Sequence, residues 1–99
     1  EPPSAPVAPH LQRGQEVFLR SSCVGCHTIN GVSGGTIGPD LTRIGARLTL
    51  GAGTLENSRG HLAGWIANSQ VLKPGNEMPV SFLEPGDLHA LVDYLWSLQ

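Results

Sequence analysis

The sequence predicts an all-α domain in which three main helices are joined by long glycine-rich segments. Three stretches, near residues 10–21, 61–69 and 84–99, space their apolar residues with a helical period, and no stretch alternates convincingly like a strand. The 99 residues include 13 glycines and eight prolines. A domain of this size has a small core and is only marginally stable, so we expect a disulfide, a metal or a large buried cofactor to reinforce it.

The chain opens with a proline-rich stretch, EPPSAPVAP at residues 1–9, which predicts a semi-rigid linker or a processed terminus. Residues 10–99 are then the folded domain, and its first helix runs from about His10 to Ser21. Gly14 stands inside this helix, where glycine costs about 1 kcal/mol relative to alanine. We therefore expect another backbone to approach closely at Gly14.

The middle of the chain, residues 28–60, holds eight glycines and shows little periodicity apart from a helical turn near residues 41–47. A connection of this length in a small domain usually wraps around something. The second helix is expected at residues 61–69. The last helix, within residues 84–99, has a proline suited to its first turn and carries a continuous apolar stripe, formed by Leu88, Leu91, Val92, Leu95 and Leu98.

Charge and hydropathy exclude two classes of partner. The net charge is −2 and Lys73 is the only lysine, so no basic patch exists to neutralise nucleic-acid phosphates. No run approaches the roughly 18 apolar residues of a membrane span, so this segment is not expected to insert into a membrane. As an isolated domain it is expected to be monomeric.

The motif CVGCH at residues 23–27 combines two thiols and an imidazole, and it fits three kinds of site. A structural zinc site needs four ligands, and no second cysteine or histidine pair follows. A thioredoxin-like dithiol belongs at a strand-to-helix junction, and no strand is predicted. The remaining interpretation is covalent haem attachment, in which Cys23 and Cys26 add to the vinyl groups and His27 ligates the iron.

Three further features support haem. Met78 is the only methionine, and its soft sulfur could complete a His/Met ligand pair. Pro39 follows a glycine and could offer its carbonyl to the Nδ1–H of His27, which would fix the tautomer. Polar groups for the haem propionates are also available, with Arg47 as the best candidate, followed by Arg43, Asn57 and Trp65.

Three other histidines, His10, His61 and His89, show no ligand-like spacing. We expect each of them to be a surface residue or a helix-cap residue.

Together these residues resemble the class I cytochromes c. The resemblance covers residues 10–99 and rests on six motifs: Gly14-x-x-x-Phe18, Cys23-x-x-Cys26-His27, Gly38-Pro39-Asp40-Leu41, Arg47, Pro74-Gly-Asn-Glu-Met78 and Leu91-Val-Asp-Tyr94-Leu95. Within the family, GPDLTRIGARLTLGAGTLEN and LAGWIANSQVLKPGNEMP look most like the haem c domain fused to subunit II of caa-type haem–copper oxidases. Two positions depart from that pattern: Arg43, where histidine is common, and Ser69, where proline is common.

The resemblance implies a class I cytochrome c fold around one covalently bound haem c. The first and last helices would cross at Gly14, and Phe18 would pack against Tyr94. His27 and Met78 would be the axial ligands. The resemblance also implies the Pro39 carbonyl as acceptor for His27, and Arg47 near a propionate.

The function this implies is one-electron transfer in a respiratory chain. As a fused domain the chain would carry electrons from a donor cytochrome or a quinol-oxidising complex to the copper centre of a terminal oxidase. It would lie in the bacterial periplasm or at the outer face of the cytoplasmic membrane. One alternative is a free periplasmic cytochrome c. Another is a haem peroxidase or gas sensor, which would require a labile Met78.

Overall fold

The computed structural model describes residues 3, 5–76, 78 and 82–99. Over these residues the chain is mostly helical, as predicted, but it also forms two short antiparallel strand pairs that the sequence did not predict. The elements in chain order are α1 (Pro9–Arg20), α2 (Cys23–Cys26), β1 (Thr28–Ile29), β2 (Ser33–Gly34), a 3₁₀ turn (Ile44–Ala46), β3 (Thr49–Leu50), β4 (Leu55–Glu56), α3 (Arg59–Leu72) and α4 (Pro85–Trp96).

The first and last helices form the centre of the molecule. The contact between α1 and α4 is the most extensive between any two described elements. Both helices begin with proline, whose fixed φ suits the first turn and whose missing N–H costs nothing there. The buried core includes Phe18 and Tyr94, together with the predicted α4 stripe from Leu91 onward, while Leu88 is partly buried.

Gly14 makes the close crossing of α1 and α4 possible. A Cβ placed on Gly14 would lie 2.1 Å from the carbonyl oxygen of Ala90 and 2.5 Å from Cβ of Tyr94. No side chain fits at these distances, so the two helices can approach this closely only with glycine at this position. The expectation from the sequence is confirmed.

The glycine-rich middle of the chain is folded onto the helices by backbone hydrogen bonds. The β1–β2 pair follows α2 directly, and the β3–β4 pair follows the 3₁₀ turn. The amide of Gly45, inside that turn, donates to the carbonyl of Leu98 at 2.8 Å and so ties the middle segment to the end of the chain. The predicted helical turn near residues 41–47 is this 3₁₀ turn.

The third helix is longer than its sequence pattern suggested and is interrupted near its end. The Ser58 hydroxyl caps α3 by accepting a hydrogen bond from the amide of His61. Asn68 leaves the helical conformation with φ −142° and ψ 41°, and the chain then makes one more helical turn to Leu72. Directly after this interruption, Ser69 and Gln70 donate hydrogen bonds to the carbonyl of Met78.

Candidate haem-binding site

A cavity of about 760 Å³ lies between the helices and the middle segment, within the usual size range of ligand sites. Its walls are mainly apolar, with side chains that include Phe18, Ile37, Leu41, Ile44, Leu48, Leu50, Leu62, Ile66 and Leu95. Seven of the predicted site residues line it as well: Cys23, Cys26, His27, Pro39, Arg47, Trp65 and Met78. The middle segment therefore wraps this cavity.

The single turn α2 places the two cysteines and the histidine at the cavity. Its backbone closes with the amide of His27 donating to the carbonyl of Cys23 at 2.9 Å. Residues three apart on a helix share a face, so Cys23 and Cys26 lie on the same side. Both thiols are free and partly exposed. Among the described residues, these three side chains do not form a cluster with all their ligand atoms close together.

The ring of His27 is buried, and its tautomer follows from one hydrogen bond. Nδ1 lies 2.7 Å from the carbonyl oxygen of Pro39. A carbonyl can only accept, so Nδ1 carries the proton, and in the neutral ring Nε2 keeps a lone pair. Gly38 packs against the same ring, since a Cβ there would lie 2.5 Å from Cε1 of His27.

Met78 is held by a network of polar side chains from the end of α3 and the following turn. Its carbonyl accepts hydrogen bonds from Ser69 Oγ and from Gln70 Nε2, each at 2.8 Å. Its amide donates to Asn76 Oδ1 at 2.7 Å, and Asn76 Nδ2 in turn donates to the carbonyls of Ser69 and Lys73. The backbone on both sides of the Met78 side chain is therefore fixed to α3.

The sequence did not predict this network. In the sequence Ser69 is only a departure from the resembled pattern, yet it is completely buried and donates a hydrogen bond to the carbonyl of Met78. The available signal was the concentration of polar side chains, Ser69, Gln70 and Asn76, just before a lone methionine.

The propionate candidates occupy different positions. Arg47 and Trp65 line the cavity, and a guanidinium nitrogen of Arg47 donates to the carbonyl of Asp40. Arg43 is exposed and donates to the carbonyl of Gln99 at 3.4 Å, away from the cavity lining.

Asn57 is not part of the cavity lining. Its Nδ2 donates to the carbonyls of Ile44 and Arg47, each at 2.8 Å, so both amide protons hold the backbone that leads to Arg47. Its Oδ1 is buried without a hydrogen-bond partner among the described residues. Asn57 therefore holds the backbone next to Arg47, and its predicted contact with a propionate stays a prediction.

Two further charges complete the electrostatics of the site. Lys73, the only lysine, lines the cavity and donates from Nζ to the carbonyl of Gly51 at 3.1 Å. Hydrogen bonds from Thr42, with a smaller contribution from the charge of Arg47, hold the pKa of Asp40 below its usual value. Asp40 is therefore ionised at neutral pH beside Arg47.

These residues fit a haem of c type. One imidazole nitrogen with a free lone pair, one thioether and two thiols meet at a single apolar cavity, with Arg47 and Lys73 at the same cavity to balance carboxylates. Soft sulfur and imidazole ligands are the pair used for low-spin haem iron in electron carriers.

The fold and this set of donor groups define a c-type haem protein. The chain belongs to the cytochrome c family, because the family described as Cytochrome c matches residues 11–99. Membership implies one covalently bound haem c and the role of an electron carrier.

Three curated relatives are each named cytochrome c oxidase subunit 2. The protein of Alkalihalophilus pseudofirmus is 40% identical over 95 residues, that of Bacillus sp. PS3 31% over 97, and that of Bacillus subtilis 28% over 94. These matches cover 95%, 92% and 89% of this chain. The chain spans only 27%, 27% and 26% of the relatives' own lengths.

A solved structure shows the same fold. The c-type cytochrome SorU from Sinorhizobium meliloti matches with a TM-score of 0.63 at 22% identity, covering 90% of each chain. Among the described residues of this chain, no helix has the length and apolar character needed to cross a membrane.

Proposed function

We propose that Cys23 and Cys26 attach the haem through thioether bonds and that His27 and Met78 are its axial ligands. The observation that carries this proposal is that both thiols, the imidazole and the only methionine line the same apolar cavity. Each thiol would add its S–H across one vinyl double bond, so no oxidant is required. The His27 Nε2 lone pair is free for a metal because Nδ1 is held by Pro39.

When bound, the haem supplies a one-electron couple, and the chain positions it and controls its surroundings. The apolar wall limits access of water. The bond to the Pro39 carbonyl fixes the His27 ring plane, and the hydrogen bonds from Ser69 and Gln70 fix the Met78 backbone. Because His27 and Met78 are both held in place, the site needs little rearrangement when the haem gains or loses one electron.

We further propose that the chain passes electrons to the copper centre of a terminal oxidase, as part of a subunit 2 polypeptide. Support comes from three relatives of that name, with the first at 40% identity over 95 residues. In this role the domain would lie in the periplasm or at the outer face of the cytoplasmic membrane.

The surface at the cavity supports docking by apolar contact. Ile37 and Leu48 line the cavity and are still 77% and 88% exposed, so they lie at its edge. The nearby Lys73 is engaged with a backbone carbonyl. Glu77, which the sequence places close to Lys73, lies outside the described residues. The other cation at the cavity, Arg47, lies beside the ionised Asp40, which offsets its charge. With so little net charge to steer a partner, electron transfer to the oxidase should depend little on salt.

Met78→Ala tests the ligand assignment. The ferric protein should show the weak red charge-transfer band of sulfur–iron ligation, and the variant should lose it because no other methionine exists. Persistence of the band would refute Met78 as ligand. Leu83→Ala, a change at a partly buried apolar residue of the same region, is the control that should keep the band.

The thioether assignment has its own test. After acid denaturation the wild type should keep the mass of the haem, as should each single variant, Cys23→Ser or Cys26→Ser. The double variant should lose it. Extraction of haem from the wild type into acidified butanone would contradict the proposal.

To test the acceptor, the reduced haem-loaded protein is mixed with a copper-loaded subunit 2 fragment, and oxidation of the haem is followed by absorbance. We expect rapid oxidation, with a rate that changes only slightly between low and high salt. Absence of transfer would contradict the copper acceptor. A fall of several orders of magnitude with salt would instead contradict docking by apolar contact.

A further inference from the structure

Three metal-ligating side chains meet outside the cavity, where the first helix packs on the last. Nε2 of His10 lies 2.8 Å from Oδ2 of Asp93, and Nε2 of His89 lies 3.2 Å from the same oxygen. The imidazole rings stand edge to face with centroids 5.1 Å apart. One ligand atom from each residue lies within 4.8 Å of the other two. We propose that His10, His89 and Asp93 bind a divalent transition-metal ion such as Zn²⁺.

The distances are close to those that a bound ion requires. Ligands about 2.0 Å from a tetrahedral zinc ion are about 3.3 Å from one another. The two imidazole-to-carboxylate distances, 2.8 and 3.2 Å, differ from this value by a few tenths of an ångström. The ligand atoms of His10 and His89 lie within 4.8 Å of each other, so the exposed side chains would have to rotate to bring this third distance to the same value.

An ion can also reach these side chains from solvent. The side chains of His10 and His89 are 44% and 72% exposed. Water can then occupy the fourth position, as it does in zinc sites with three protein ligands. The donor set of two imidazole nitrogens and one carboxylate oxygen favours zinc, copper or nickel over calcium and magnesium, which prefer oxygen.

The fold itself brings the three side chains together. His89 and Asp93 are four residues apart on α4 and so lie on one face of that helix. His10 belongs to the first turn of α1, and the close packing of the two helices carries it to the same place. The sequence predicted three isolated surface histidines. All three are exposed as predicted, but His10 and His89 lie next to each other in the folded chain.

Arg59 positions the carboxylate. Its Nε lies 3.4 Å from Oδ1 of Asp93, which leaves Oδ2 directed at the two imidazoles. The guanidinium is itself held 5.8 Å from the ring centre of Trp96. This ion pair holds the outer oxygen, and ligating carboxylates in metal sites are regularly held by a second residue in this way. The positive charge of Arg59 opposes the ion, so affinity should be weaker than at a closed four-ligand site.

A bound ion would link α1 to α4. Because the three ligands would hold the ion only when these helices are packed, binding would stabilise the folded chain by an amount that grows with the logarithm of the ion concentration above the dissociation constant. The site is separate from the cavity lining and does not depend on how the haem iron is ligated.

The test is calorimetric titration of Zn²⁺ into the haem-loaded protein, with any histidine tag removed and in a buffer that does not chelate metal. We expect one ion per chain and a melting temperature that rises with zinc concentration. His10→Gln and His89→Gln should each weaken binding at least tenfold, and the double variant should not bind. His61→Gln removes another exposed histidine, on α3, and should leave binding unchanged.

Two results would overturn the proposal. One is the absence of saturable Zn²⁺ binding by the wild type at concentrations up to the millimolar range. The other is equal affinity in the wild type and the double variant. A zinc-free melting curve and the haem absorption spectrum of each variant verify folding, so that lost binding reports lost ligands. If the double variant does not fold, the dissociation constants of the single variants are compared with that of His61→Gln. Equal dissociation constants would then overturn the proposal.

Discussion

Gly38 lies directly against the imidazole of His27, so that a Cβ on Gly38 would be 2.5 Å from Cε1 and 2.8 Å from Nδ1. The residue that follows supplies the carbonyl that holds Nδ1. Gly38 and Pro39 therefore fix the position and the tautomer of the ring together.

We predict that Gly38→Ala displaces the His27 ring, because the new methyl group cannot be accommodated. The unfolding free energy should fall by about 1–3 kcal/mol, the usual cost of overpacking, and the reduction potential should shift. Gly34→Ala is the matched control, since a Cβ there meets nothing within 4 Å. Equal effects in the two variants, measured by denaturant titration and redox titration, would contradict the prediction.

Gly14, at the crossing of α1 and α4, and Gly60, in α3, give a second pair of glycines with opposite expectations. Gly14→Ala should destabilise the protein by about 1–3 kcal/mol, because its Cβ would overlap the backbone of Ala90. Gly60→Ala, in the first turn of α3 with nothing within 4 Å, should stabilise by up to about 1 kcal/mol. Urea unfolding followed by circular dichroism measures both. Gly14→Ala at or above wild-type stability would refute the close crossing.

Ser69 offers a test of how the Met78 segment is held. Ser69→Ala removes one of the two side-chain donors to the Met78 carbonyl, at a cost of about 1 kcal/mol. We expect the sulfur–iron band of the ferric protein to be lost at a lower temperature than in the wild type. Ser97→Ala, which removes a similar bond to the carbonyl of Tyr94, should leave the band's temperature dependence unchanged. If Ser97→Ala lost the band at a lower temperature than Ser69→Ala, Ser69 would not position Met78.

Stability at alkaline pH should depend on Tyr94, the only tyrosine. Burial raises the pKa of Tyr94, and a hydrogen bond from Gln15 offsets this only in part. Above the ordinary pKa of about 10, the unfolded chain loses its phenol proton before the folded chain does. The unfolding free energy should therefore decrease as the pH rises through 10, and less steeply in Tyr94→Phe. Identical pH dependence in the two proteins would contradict this.

Local patterns predicted much of this molecule. Spacing along a helix predicted the apolar stripe of α4, the proline in its first turn and the role of Gly14. These features depend on residues that are close together in the sequence. The CVGCH motif and Pro39 were also predicted to meet, and they line one cavity. Such features depend on short segments or on a single close contact.

The remainder depends on packing between distant segments. The pairs β1–β2 and β3–β4 are two residues long, too short for any alternation to appear in the sequence. The side-chain amide of Asn57 donates to the backbone carbonyls of Ile44 and Arg47, and these hydrogen bonds form only when the chain folds. His10 and His89 come together because two helices from opposite ends of the chain cross.

That crossing has a kinetic consequence. α1 and α4 are separated by residues 21–84, and closing a loop of that length costs on the order of 4 kcal/mol in chain entropy. Until α1 and α4 have packed, the core does not enclose residues 23–27, so their thiols are accessible. Because Phe18 and Leu95 both line the cavity, a haem anchored at this stage would offer apolar contact to both helices. Covalent attachment of the haem would then come before the packing of α1 on α4 and would favour that packing.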